Sequence, residues 1–273
     1  RRTHRRTTSR HDGKSVRRTY PVRSPVRTVL AAALGGALIA LWLLLAVTEV
    51  VASAEWSYAY SLSSPQVAAD AGLNREQVRV LLMRVIGYAR GTGTAALQVP
   101  LPAGHPRAGE PAFTQREIDH MADVRDLFTR GRAVRSAMLG LLAGGAALTF
   151  LTPLAMGRRR TAGAPGSASG GHDRIAAAAD LWARAFTWAA GWGAVVLGLA
   201  ALALTVGFSI AFDWFHLLLF RNDLWQLPPD SMLIALLPVE QFQRLAVLIG
   251  TGFVLGLAVA AVLGRALRRR AAH

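Results

Sequence analysis

Two of the seven histidines stand where an imidazole could do chemistry. His120 lies in Asp119-His120-Met121-Ala122-Asp123-Val124-Arg125, and His216 in Asp213-Trp214-Phe215-His216. Each has an aspartate three residues away: Asp123 after His120, and Asp213 before His216. On a helix, positions i and i+3 share a face. A carboxylate placed there can accept from one ring nitrogen, fix the tautomer and raise the basicity of the other. The plainer reading is that both are polar residues capping helix ends at a membrane boundary. That suits one histidine better than two, each with its own aspartate. Arg221, Asn222, Asp223 and Trp225 follow His216 closely. Ionisable groups at such depth are functional candidates. Trp214 and Trp225 read more simply as members of an interfacial aromatic belt. His4, His11, His172 and His273 fall in basic tails or a flexible loop. His105, in a Gly-His-Pro turn, reads as a solvated loop residue.

The residue inventory narrows the chemistry. There is no cysteine, which removes disulfides, iron–sulfur clusters, thiolate zinc sites and cysteine nucleophiles together. No Gly-x-Ser-x-Gly elbow, His-Glu-x-x-His zinc motif or phosphate-binding Walker loop occurs. What remains is a histidine as general base, with a second histidine or an arginine as electrophile, acting on a lipid-borne group. Acyl transfer fits. One imidazole takes a proton from an attacking amine or hydroxyl while the other donates to the developing oxyanion.

Which elements could hold two such residues together? The 273 residues are 52% hydrophobic and only 17% charged, yet carry a formal charge of +15. A chain both this apolar and this basic suggests a membrane protein with cationic ends more than a nucleic-acid binder. Four stretches, Thr28 to Val47, Ser136 to Met156, Phe186 to Phe212 and Leu245 to Leu263, are uniformly apolar. Each reaches or nears the ~20 residues a helix needs to cross a bilayer. Their recurrent small residues suit close helix packing in lipid. Residues 1–27, 157–185 and the tail after Leu263 together hold 19 Lys/Arg and 3 acids, a net +16. Residues 49–135 and 213–244 hold 12 Arg and 13 acids, a net −1. The positive-inside rule therefore puts both termini in the cytoplasm and both histidines at the outer face.

The expected organisation follows from this. A basic disordered tail (1–27) precedes transmembrane helix 1 (28–52) and an extracytoplasmic domain (53–131). Transmembrane helix 2 (132–156), a flexible cytoplasmic loop (157–185) and transmembrane helix 3 (186–212) come next. An extracytoplasmic loop (213–244), transmembrane helix 4 (245–264) and a basic cytoplasmic tail (265–273) complete it. The basic segment 1–27 also suits contact with anionic lipid headgroups. The fold class is an all-α membrane protein of four transmembrane helices, with a small extracytoplasmic α(+β) domain between the first two. Within that domain Asn74 caps a helix to about Arg90, with Val78, Leu81, Leu82, Val85 and Ile86 on one face. Leu97, Val99 and Leu101 alternate as a short strand broken by Pro100 and Pro102. Thr114-Gln-Arg-Glu117 forms a capping box. It opens a helix that carries His120 and runs on into the second membrane span.

Two blocks carry a family resemblance. Phe113-Thr-Gln-Arg-Glu117 with His120-Met-Ala-Asp-Val-Arg-Asp-Leu-Phe128 forms the first. The second comprises Phe215-His216, Phe220-Arg-Asn-Asp-Leu-Trp225 and Leu236-Leu-Pro-Val-Glu-Gln-Phe242. Together with the four-helix layout, they resemble the lipoprotein intramolecular transacylase (Lit) family of bacterial integral membrane proteins. That resemblance implies an enzyme at the outer leaflet of the plasma membrane. It would move the sn-2 acyl chain of a diacylglyceryl-cysteine to the cysteine's α-amine. Diacylated lipoproteins and membrane lipids would be its partners, and nucleic acid would not. Donor and acceptor share one substrate, so no cofactor or metal is expected. His120 and His216 correspond to the family's functional histidines, with His120 as base and His216 as oxyanion donor, or the reverse. Asp123 would orient His120, Asp213 would orient His216, and Arg221, Asn222 and Asp223 would shape the site. Two readings from other classes stand beside it: a haem or metal protein ligated by the two histidines, and a non-catalytic membrane partner or sensor.

Overall fold

The computed structural model describes residues 25–91, 96–160 and 169–271. The expected basic tail before residue 25, the centre of the 157–185 loop, and His4, His11 and His273 lie outside them. Helix α1 (Pro25–Ser53) leads through a 3-10 turn (Glu55–Tyr58) into three shorter helices, α2 (Ala59–Ser63), α3 (Pro65–Ala71) and α4 (Arg75–Arg90). Next come α5 (Gln115–Arg160), α6 (Ser169–Thr205), α7 (Phe208–Leu219), α8 (Met232–Leu236) and α9 (Val239–Ala271). Four helices are long and apolar enough to cross a membrane: Pro25–Ser53, Gln115–Thr152, Asp173–Thr205 and Val239–Arg270. Within the second of these, Arg116, Glu117, Asp119, Asp123, Arg125, Asp126, Arg130, Arg132 and Arg135 crowd the first turns. Ionisable groups are costly in hydrocarbon, which favours the apolar run after Arg135 as the part of α5 suited to cross a membrane.

Two cores hold the chain together. In the membrane bundle, Ile39 and Ala40 of α1 pack with Ala185 and Ala189 of α6 and with Phe253 and Leu257 of α9. The helices touch backbone to backbone where side chains vanish: a β-carbon on Gly36 would stand 2.7 Å from the Ala189 nitrogen. Gly144 of α5 meets nothing within 4 Å, so not every glycine in the apolar stretches serves close packing. The second core joins Val51 of α1, Val67 of α3, Leu82 and Val85 of α4, Ile118 and Met121 of α5, Leu236 of α8 and Leu245 of α9. Gln241, fully buried at the start of α9, locks this assembly. Its amide donates to the Ser57 carbonyl at 2.8 Å. Its oxygen accepts from the Ser61 backbone at 3.2 Å and from the Ser61 hydroxyl at 3.3 Å.

The Asn74 helix forms as expected. Asn74 and Gln77 make a reciprocal capping box, and Gly91 closes α4 in the left-handed conformation. Three expectations change. The strand at Leu97–Leu101 does not form: only an isolated bridge between Pro100 and Pro111 is present, and the described residues contain no strand. Leu101 N donates to Glu110 O at 2.7 Å and Ala112 N to Val99 O at 2.8 Å. The prolines lack the N–H groups needed to extend that pairing into a ladder. The third apolar stretch is divided: α6 ends at Thr205, Gly207 takes φ +107°, and Ile210 to Phe212 belong to the separate helix α7. Helix α6 also starts at Ser169, so much of the expected 157–185 loop is helical.

His105 is not a free loop residue. Its Nδ1 accepts the Arg107 N–H at 3.0 Å. The proton is therefore on Nε2, which donates to the Ala71 carbonyl at 3.2 Å. The ring staples the 100–112 loop to the end of α3.

Candidate active site

The capping box at Thr114 starts α5 in the right place. Glu117 accepts from the Thr114 N–H at 2.6 Å and the Thr114 hydroxyl at 2.8 Å. Its other oxygen accepts the Leu233 N–H at 2.9 Å. Glu117 is 1% exposed, so a local helix cap doubles as a buried clamp onto α8. One turn further along α5, His120 faces inward and is 9% exposed.

His216 comes from α7 and is 7% exposed. Its ring centroid is 6.1 Å from that of His120. Aromatic rings enclose it: Phe212 at 4.2 Å, Trp225 at 4.9 Å and 23° from parallel, Phe215 at 5.4 Å and Phe220 at 5.7 Å. Phe220 also meets His120 edge-on at 5.4 Å. Phe212 carries a ring contact onward to Phe242 at the start of α9.

His216 Nδ1 lies 2.8 Å from the Phe212 carbonyl. A carbonyl only accepts, so Nδ1 carries the proton and neutral His216 presents its lone pair at Nε2. His120 Nδ1 is buried and has no hydrogen-bond partner among the described residues. Burial lowers the pKa of both imidazoles below the ordinary histidine value. For His120 the positive charge of a protonated His216 adds to the effect, and Asp123 opposes it. For His216 the Phe212 hydrogen bond and then Asp213 oppose it. Two neighbouring imidazoles are thus held neutral at pH 7 in an apolar cage.

The other expected residues take different places. Asp123 accepts the Asn222 side-chain amide at 2.8 Å and acts on His120 through its charge. Asp213 is exposed and likewise reaches His216 only through its charge. A backbone carbonyl, and no carboxylate, sets the His216 tautomer. Asp223 is engaged by Arg116, which contacts both its carbonyl and its carboxylate at 3.4 Å. Arg221 is exposed, and among the described residues it makes no hydrogen bond or ion pair. Arg116 escaped sequence reasoning because its partner Asp223 is distant in the chain. Phe212 and Phe220 stand four residues either side of His216 at helical spacing. The stacking of Trp225 on His216 and the contact of Phe220 with His120 arise only on folding. No group of three or more His, Cys, Asp or Glu suited to a metal ion is present among the described residues.

Fold and site together define a multi-pass membrane protein with a buried pair of imidazoles near one end of its bundle. The chain belongs to the lipoprotein intramolecular transacylase Lit family, whose family model matches residues 33–242 and so spans both histidines. No curated protein matches the chain. Among solved structures, the membrane-integral lipoprotein intramolecular transacylase Lit from Bacillus cereus is similar, with a TM-score of 0.64 at 16% identity. The match covers 90% of this chain and 98% of that one. A variant of that protein with one histidine changed to arginine gives TM-score 0.64 at 17% identity, over 90% of this chain and 93% of that one. A histidine-to-alanine variant gives 0.63 at 17%, over 90% and 94%. At these identities the likeness is one of fold.

Proposed function

We propose that this protein is a lipoprotein intramolecular transacylase of the plasma membrane, working through His120 and His216. The observation that carries the proposal is the meeting of two buried imidazoles, from two helices, in a chain of the Lit family. The charge split of +16 against −1 supports cytoplasmic termini and a site at the outer leaflet. A diacylated lipoprotein held in that leaflet would arrive there.

The substrate's α-amine attacks the carbonyl carbon of its own sn-2 ester. A C–N bond forms, and the carbonyl electron pair moves onto oxygen. His216 Nε2 takes the proton from nitrogen, because its tautomer offers the lone pair there. His120 donates through Nδ1, the buried nitrogen without a protein partner, to the oxyanion. A neutral imidazole can polarise a carbonyl in this way. Collapse breaks the bond to the glycerol oxygen, which takes the proton back from His216. Ester becomes amide, a downhill exchange, and the lyso product forms. This order makes His216 the base and His120 the donor, the second of the two assignments the resemblance leaves open.

The protein mainly orients and polarises, since donor and acceptor sit on one molecule and share a high effective concentration. The amine has a pKa of about 7.7–8.0, so a useful fraction is neutral near physiological pH. The test is expression in a host whose lipoproteins are diacylated, followed by mass spectrometry of their N-terminal peptides. N-acyl, S-monoacylglyceryl cysteine is expected with wild type and absent with His216→Ala. Unchanged lipoproteins in the presence of correctly inserted wild type would overturn the proposal.

A further inference from the structure

The indole nitrogen of Trp225 is buried and has no hydrogen-bond partner among the described residues. A buried N–H left unpaired is costly, and such a group calls for a reason. Of the three other buried nitrogens in the same state among the described residues, His120 Nδ1 and Arg116 Nε belong to this same site and Trp42 Nε1 lies on α1. The loop carrying Trp225 is held on several sides. Asn222 donates to Asp123 at 2.8 Å, and the Leu224 N–H donates to Asn222 Oδ1 at 3.2 Å. Arg116 grips Asp223 at both carbonyl and carboxylate. The Gln226 N–H closes a turn on the Asp223 carbonyl at 3.0 Å. So braced a loop could present its tryptophan to solvent, yet the ring lies flat against His216 with its N–H enclosed.

We infer that Trp225 is a further catalytic residue, whose Nε1–H donates to the sn-2 ester carbonyl oxygen of the substrate as that oxygen gains charge. The inference rests on the transacylase reading. Attack by the amine forms the C–N bond and moves the carbonyl pair onto oxygen. Trp225 donates a hydrogen bond to that oxygen and transfers no proton; collapse then returns the pair and expels the glycerol oxygen. The indole is a donor only and does not titrate, so its contribution holds at every working pH. Its face has a second use. When His216 takes the amine proton, the stacked ring system steadies the resulting cation.

Trp225→Phe separates the two uses, because phenylalanine keeps an aromatic face and removes only the N–H. In the full-length protein acting on a diacylglyceryl-cysteine peptide in lipid vesicles, kcat is expected to fall about a hundredfold. KM should change little, and thermal stability should match or exceed wild type because an unpaired donor has gone. A kcat within about threefold of wild type would overturn the inference. A second readout covers a variant that folds poorly. The 15N-labelled Trp225 indole of wild type should shift downfield on adding an N-acetylated diacylglyceryl-cysteine peptide, which keeps the ester but cannot react. An unmoved resonance under saturating peptide would also overturn it. Inactive wild type would instead defeat the transacylase reading itself.

Discussion

The Asp123 carboxylate accepts the side-chain amide of Asn222 at 2.8 Å, and that bond ties α5 to the loop between α7 and α8. It joins the helix of His120 to the loop of Trp225 across the site. Asp123→Ala and Asn222→Ala should each lower kcat, and the double variant should lose little more than the worse single. Residues sharing one hydrogen bond couple by about 0.5–3 kcal/mol. This exposed pair should fall at the low end. Additive losses in a double-mutant cycle of transacylation rates would show that the bond does not act as a unit.

The acid limb of the pH profile carries a sign that can be checked. Burial lowers the pKa of both imidazoles below the ordinary 6.5, so both are neutral at pH 7. The base is lost only as pH falls through the lowered value. The histidine-dependent fall in rate should therefore lie below pH 6.5, apart from any limb due to the substrate amine. The Asp123 charge raises the pKa of His120, so Asp123→Asn should move His120 further down. Imidazole NMR titration of His120 and His216 in nanodiscs reads both effects. Titration at or above 6.5, or an upward shift in Asp123→Asn, would contradict them.

Glu117 is the buried clamp beneath the site. Replacement by alanine leaves the Thr114 and Leu233 N–H groups without their acceptor. The Leu233 N–H is buried, and a buried donor left unpaired costs about 1–3 kcal/mol. Glu117→Ala should lower the melting temperature in detergent by several degrees, and Glu117→Gln, which keeps an acceptor, by less. A wild-type melting curve for Glu117→Ala would show that the clamp contributes nothing.

Two glycines in membrane helices should respond oppositely to bulk. A β-carbon at Gly36 runs into the α6 backbone, whereas one at Gly144 meets open space. Gly36→Leu should destabilise the bundle by about 1–3 kcal/mol or more, the usual cost of overpacking. Gly144→Leu should leave thermal unfolding unchanged. Equal effects would contradict the packing of α1 on α6.

Much of this architecture was legible in residue types. Length and hydropathy revealed the four spans, and the Asn74 and Thr114 caps marked the starts of α4 and α5. His120 and His216 stood out because each is ionisable beside a long apolar run. The break at Gly207 was not legible, since an apolar count cannot see a single positive φ. The partners of Asp123 and Asp213 were misjudged for a related reason. Helical spacing says which residues share a face, but tertiary packing decides who bonds whom. Asp123 turned to Asn222, and the His216 tautomer was set by its own helix backbone. Trp225 looked like one more interfacial tryptophan; only its stacking on His216 and its enclosed N–H distinguish it.

The most direct test of the central claim is a mass-spectrometric comparison of lipoprotein N-termini from a diacylated host. The host would express wild type, His120→Ala or His216→Ala at equal membrane levels. Wild type should yield N-acyl, S-monoacylglyceryl cysteine, and each variant should lose at least about a hundredfold of it, within the range for removing a general acid–base group. Undiminished product from either variant would contradict the paired-imidazole account.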